Sequence, residues 1–221
     1  MQKILMTEAL LLSRCQQIEG MSFAELALAL NLVLPRDAIK RKGWLGLAVE
    51  LALGTTAGTR PLPDFVELGI ELKTIPLNSI KKPIESTFVT SISLLTIHQE
   101  NWLDSQCYSK LKRVLWLPIE GDKSIPFAER RIGKGFLWSP SSEDEQSLQE
   151  DWQELSFMIS AGQLEKIDAC YGQYLQIRPK AANAKSLCQA FDNEGNKILT
   201  LPRGFYLRTV FTEKIIRAQF A

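Results

Sequence analysis

The sequence predicts an α/β fold in which helices come first and a mixed sheet flanked by helices follows. Three observations carry this expectation. Apolar residues recur at helical spacing through the first third of the chain. The segments after residue 64 alternate at strand spacing. Helical patterning then returns at 142–160 and again at the C-terminus. With 221 residues the chain can form one large domain or two closely packed lobes with an ample core. We expect one domain, 1–221, of two lobes: roughly 1–80 and roughly 81–221, around a cleft.

Residues 6–19 read as a first helix ending near Gly20. Ser22 caps a second, with Glu25 three residues on completing a capping box. Pro35 opens a third helical region, broken or bent near Gly43 and running through Leu53. Glu50 is the only acid in its apolar stretch. Such a carboxylate points outward, is paired, or faces the acidic pair described below. Gly54–Pro63 is a Gly-, Thr- and Pro-rich loop, and the hairpin 64–77 follows. Ser86–Leu95 alternates as a strand. Residues 96–109 are polar and carry no assignable pattern. Lys112–Ile119 is a strongly apolar strand; a turn or short helix at 127–131 and a strand at 136–138 come next. Leu148, Trp152, Leu155 and Ile159 form a core stripe on helix 142–160. Residues 173–177 read as a strand, 181–191 as a helix, 193–196 as a turn, and 197–201 and 203–208 as strands. Thr212 is the expected cap of a last helix ending at Gln219.

Composition removes several function classes. No apolar run reaches the length of a membrane span, and the start, MQKILMTEALLLSRCQQ, is interrupted by Glu8 and Arg14 without a small-residue cleavage site. We expect a cytoplasmic protein. Its four cysteines lack CxxC spacing and read as free thiols, and the single histidine, His98, argues against a His-rich zinc site. The net charge of +1 hides an uneven distribution. Residues 141–154 hold six acids and no base. Residues 110–134 hold seven Lys or Arg against three acids, and 178–217 eight against three. A positive face opposed to a negative one is compatible with phosphate binding.

Chemistry concentrates in RPLPDFVELGIELKTIP, residues 60–76. Side chains alternate along a strand, so Glu71 and Lys73 share a face about 7 Å apart at a rise of roughly 3.3 Å per residue. Asp64 lies before the turn expected at Gly69, and the returning chain can bring it beside Glu71. Two carboxylates suit Mg2+, which binds hard oxygen ligands and retains waters. Mn2+ or Ca2+ are possible substitutes for binding. An ammonium alongside can steady an attacking water or developing negative charge. A solvated strand edge would also look like this. A second cluster lies in LQIRPKAANAKSL (175–187) and LPRGFYL (201–207). There Arg178, Lys180 and Tyr206 could read phosphate and base edges beside an expected helix N-terminus. The bland alternative is a structural Arg–carboxylate pair and a tyrosine bridging core and solvent.

Pro63-Asp64 with Glu71-Leu72-Lys73 resembles the PD-(D/E)xK nuclease pattern. KGWLGLAVELALGTTAG, DFVELGIELKTIP, KLKRVLWLPIEG followed by SIP, LQIRPKAANAKSL and LPRGFYL occur in this order. Together they resemble the MutH family of bacterial mismatch-repair endonucleases, from about Leu12 to about Phe220. The resemblance implies a restriction-endonuclease-like fold around a DNA-binding cleft. It implies nicking of the unmethylated strand at hemimethylated GATC sites, 5′ to the G, on double-stranded DNA. It also implies activation by MutL, with MutS acting indirectly, and a monomer is plausible for a single asymmetric nick. Asp64 and Glu71 match the metal-binding carboxylates, with the Leu72 carbonyl a third oxygen. Lys73 matches the catalytic lysine and Glu50 the acid of the preceding helix. Arg178, Pro179, Lys180 and Tyr206 match the DNA-reading region. Lys42 and Lys110 match basic positions, and Phe88 an aromatic at the bases. A stand-alone GATC restriction endonuclease and a non-catalytic DNA-binding module of the same fold are the alternatives.

Overall fold

The computed structural model describes residues 6–55, 61–168, 171–181, 183 and 185–220, except the side chains of residues 38, 39 and 42. Two compact units share the chain. One contains residues 1–84 and 112–139, the other 85–111 and 140–221. Residues 112–139 belong with the first unit, so each unit is assembled from two separate stretches of the chain.

The first unit begins with α1 (Glu8–Ile18), capped by the Thr7 hydroxyl, which accepts from the Leu10 N–H. Leu11, Cys15 and Ile18 are its buried stripe, and the chain turns through Gly20 at φ 79°. Helix α2 (Phe23–Ala29) carries the expected capping box: Glu25 N–H donates to Ser22 Oγ and Ser22 N–H to Glu25 Oε2. Helix α3 (Ala38–Leu53) runs unbroken through Gly43, so the helix is not interrupted there. Its residues Leu45, Ala48, Val49 and Leu53 pack into one core with α1 and α2.

Strand β1 (Glu71–Leu77) pairs in parallel with β3 (Val114–Glu120), Glu71 opposite Val114 and Leu72 opposite Leu115. Strand β4 (Phe136–Trp138) pairs antiparallel on the other side of β3. The central strand reads VLWLPI and is buried at each of those six residues, as a strand covered on both faces requires. Leu115, Leu117, Ile119 and Leu72 face the helical core. Glu71 and Lys73 therefore project from the opposite face, the face of Val114 and Trp116.

In the second unit β8 (Arg203–Leu207) lies between β2 (Thr87–Ser91) and β5 (Leu175–Pro179), antiparallel to both. Phe205, Leu207, Leu175 and Val89 are buried in its core. Helix α5 (Ser142–Ser160) contributes Leu148, Trp152, Leu155 and Ile159 to the core, as expected. Two of its acids are structural. Asp144 receives Lys214 Nζ at 2.6 Å. Asp151, buried, accepts the N–H groups of Gln173, Tyr174 and Leu175 at 2.6–2.7 Å and so fixes the entry to β5. The unassigned stretch 96–109 contains two short 3-10 turns and the start of α4 (Gln106–Leu111).

Two sequence expectations are corrected. The described residues of 181–191 form no helix. Cys188–Phe191 is strand β6, paired with β7 (Lys197–Thr200) across a turn in which Asp192 Oδ1 accepts from Glu194 and Asn196 N–H. Asn183 Oδ1 accepts from Lys185 N–H and Ser186 Oγ, a local turn that competes with a helix. Alanine propensity is outweighed by strand pairing. The last helix, α6 (Thr209–Phe220), starts three residues before the expected cap. Thr212 lies within it, fully buried, its hydroxyl donating to the Thr209 carbonyl. No helix among the described residues is long and apolar enough to cross a membrane.

Candidate active site and nucleic-acid interface

The hairpin before β1 is closed by main-chain bonds from Phe65 N–H to the Ile70 carbonyl (2.9 Å) and from Ile70 N–H to the Phe65 carbonyl (3.3 Å). Gly69 makes the turn at φ 64°, a conformation that favours glycine. This closure delivers Asp64 to the start of β1, where its Oδ2 accepts the Leu72 N–H at 2.9 Å. Glu71 N–H donates to the Arg113 carbonyl on the β3 side. Successive residues of a strand aim their main-chain groups to opposite sides. The Leu72 N–H and carbonyl thus share the outer side of β1 with the Asp64 carboxylate.

Glu71 is 4% exposed. A carboxylate so buried needs compensation, and Lys73 Nζ donates to its Oε1 at 2.6 Å. The two side chains lie two residues apart on one face, so the strand itself sets the pair. Asp64, Glu71 and the Leu72 carbonyl supply only hard oxygen donors, a set that fits Mg2+ better than a softer transition metal. Glu50 sits half-buried in the last turns of α3, beside core residue Val49. No group of three or more acids, histidines or cysteines with metal-binding geometry occurs among the described residues. Glu50 therefore does not complete a three-acid cage with Asp64 and Glu71. Lys42 lies on α3 with its side chain outside the described atoms. Lys110 is half-buried in the last turn of α4.

In the second unit four sequence-selected residues meet on one face of the β2-β8-β5 sheet. Phe88 pairs with Tyr206 and Tyr206 with Gln176, so these three side chains point the same way. The Phe88 and Tyr206 rings meet edge to face with centroids 5.3 Å apart. Lys180 Nζ lies 4.0 Å from the Phe88 centroid, and Arg178 Cζ 6.0 Å from that of Tyr206. Pro179 is exposed at the end of edge strand β5, where a residue without an N–H breaks no ladder. Burial pushes the Tyr206 phenol above its ordinary pKa, and the Arg178 charge partly offsets this. No helix begins between Lys180 and strand β6 among the described residues, so the expected helix-end contribution to phosphate binding is withdrawn. The cationic side chains and aromatic faces remain.

Two residues escaped the sequence reading. Gly204 faces Phe88: a Cβ there would stand 2.8 Å from its ring and 3.0 Å from the Thr90 carbonyl oxygen. A glycine inside a strand pattern is a signal for such close approach. Ser86 Oγ accepts from Arg178 Nη1 at 2.7 Å, across 92 positions of sequence. No local pattern marks that serine.

Comparison with known proteins gives one consistent answer. Residues 53–151 match the family described as "DNA mismatch repair enzyme MutH". The DNA mismatch repair protein MutH of Citrobacter koseri is 50% identical over 214 residues, covering 97% of this chain and 93% of its own. The proteins of the same name from Escherichia coli O127:H6 and Escherichia coli K12 give the same identity and coverage. The matched span takes in the β1 hairpin and Phe88, and the full-length similarity takes in Arg178, Lys180 and Tyr206. A half-identical match over nearly the entire length, carrying both clusters, establishes that the chain belongs to the MutH family of DNA mismatch repair enzymes.

Proposed function

We propose that this chain is a Mg2+-dependent endonuclease of the bacterial cytoplasm that nicks the unmethylated strand at hemimethylated GATC sites, as a monomer activated by MutL. The observation that carries the reading is the start of edge strand β1, where the Asp64 carboxylate accepts the Leu72 N–H and buried Glu71 pairs with Lys73. Asp64, Glu71 and the Leu72 carbonyl would hold the cation. When bound, it would polarise the scissile phosphate and acidify a water. Lys73 orients that water or stabilises negative charge on the phosphate, with Glu71 holding its ammonium in place. Glu50, on α3, would act outside the cation's own ligand set.

Arg178 reads guanine, whose O6 and N7 match the guanidinium fork, and Tyr206 meets adenine N6, where a methyl adds bulk and removes a donor. Lys180, Lys42 and Lys110 neutralise phosphates, Pro179 stiffens the approach, and Phe88 offers a ring to the bases. The test is a supercoiled GATC plasmid, unmethylated, hemimethylated or fully methylated, incubated in Mg2+ with and without MutL and ATP. Nicked circles stimulated by MutL and suppressed by full methylation are expected. Linear product without MutL would indicate a stand-alone restriction enzyme, and unchanged plasmid a non-catalytic module. A Tyr206→Ala variant should narrow the gap between hemimethylated and fully methylated plasmid; an unchanged ratio would remove Tyr206 from methyl discrimination.

A further inference from the structure

We infer that Ser86 is a positioning residue that fixes the direction of the Arg178 guanidinium before DNA arrives. The inference deepens the proposed DNA-reading role of Arg178 and rests on it. Arg178 is exposed on β5, an edge strand, and a long side chain in that position ordinarily samples many rotamers. Here it spans the width of β8. Its Nη1 donates to Ser86 Oγ at 2.7 Å, just ahead of β2, two inter-strand spacings of about 4.8 Å from β5. In the strand register Arg178 lies opposite Gly204, and Ser86 precedes Thr87, which lies opposite Leu207, so the side chain runs diagonally across β8 past Tyr206. The Tyr206 ring, 6.0 Å from Cζ, provides a second contact.

A guanidinium has five N–H donors in a rigid fork. One donor committed to Ser86 sets the fork's plane and leaves the remaining edges for an acceptor pair. Preorganisation lowers the entropy lost on binding only when the final geometry is the one held in advance. Its benefit therefore belongs to the cognate base and not to an arbitrary phosphate. Serine also keeps its own O–H for an incoming acceptor. Alanine removes the restraint, whereas threonine retains the hydroxyl.

The experiment measures affinity by fluorescence anisotropy without Mg2+, on a duplex with one GATC and on the same duplex with that site scrambled. The proteins are full-length wild type, Ser86→Ala, Ser86→Thr, Arg178→Ala and the Ser86→Ala/Arg178→Ala double variant, with Tm recorded for each. We expect Ser86→Ala to weaken GATC binding about 3- to 10-fold. Binding to the scrambled duplex and Tm should stay unchanged. Ser86→Thr should bind like wild type, and the double variant like Arg178→Ala. Equal losses on both duplexes, or additive effects in the double variant, would overturn the positioning role while leaving Arg178 as a reader. If Arg178→Ala itself keeps its preference for GATC, both the reader assignment and the inference fall.

Discussion

The β1 hairpin and the β2-β8-β5 face are built in opposite ways. The hairpin draws its proposed reactive groups from ten consecutive residues and ties them locally: Asp64 to the Leu72 N–H, and Glu71 to the Lys73 ammonium along one strand face. Glu71 is buried, so its geometry is protected from solvent and from rotamer exchange. The reading face draws Ser86, Phe88, Arg178, Lys180, Gly204 and Tyr206 from three distant segments. It holds them by ring and side-chain contacts, with Arg178 and Lys180 exposed. A group that must hold a charge at one phosphate benefits from rigidity. A face that must meet varied DNA and choose one sequence benefits from side chains already grouped but still reachable.

The largest expected effect tests whether the two regions separate at all. Asp64→Ala or Glu71→Ala should lower the Mg2+-dependent nicking rate on the order of 10³-fold or more, as should chelation of Mg2+. GATC affinity should remain within about threefold, because neither carboxylate belongs to the reading face. Plasmid nicking beside duplex anisotropy checks this, and near-normal nicking by either variant would refute the assignment. Gly204→Ala should act in the reverse sense. Its Cβ would press on the Phe88 ring and the Thr90 carbonyl, and GATC affinity should drop about tenfold. Cation binding, followed by calorimetry with Mg2+ or Ca2+, should stay as in wild type. A changed cation affinity would show that the regions are not independent. The smallest effect is set by pH. Burial favours the neutral Tyr206 phenol, so its contribution is complete below the ordinary tyrosine value of about 10 and is lost as pH rises beyond it. Preference for GATC should be flat from pH 7 to 9 and decline only above that range. A decline centred near pH 8 would point to another group.

These constructions also decide what could be read from the sequence. The capping box at Ser22, the strand at β1, the core stripe of α5 and the Asp64–Glu71–Lys73 cluster all depend on residues within a few positions of each other. Local periodicity exposes them. Residues 181–191 misled because alanine propensity is a weak preference, and the pairing of Cys188–Phe191 with Lys197–Thr200 overrides it. Thr212 looked like a cap because threonine is a common one. Its burial and its hydroxyl bond to Thr209 place it inside α6. Arg178, Lys180 and Tyr206 were grouped from their own residues, but Phe88 joined them only through the family resemblance, since its pairing with Tyr206 across more than a hundred positions leaves no periodic trace. Ser86 was invisible for the same reason. Gly204, inside a strand pattern, carried a signal without its meaning.

One further consequence follows from β1 being the outermost strand of its sheet. An exposed strand edge is a template for another chain, and intermolecular pairing needs successive free N–H donors. Three β1 positions, 72, 74 and 76, aim outward. Leu72 spends its N–H on Asp64, and Pro76 has none, while its carbonyl already accepts the Ile84 N–H. The edge is thus depleted of donors but keeps the Leu72 carbonyl directed outward. The arrangement that would present oxygen donors to a cation also makes this strand a poor seed for aggregation.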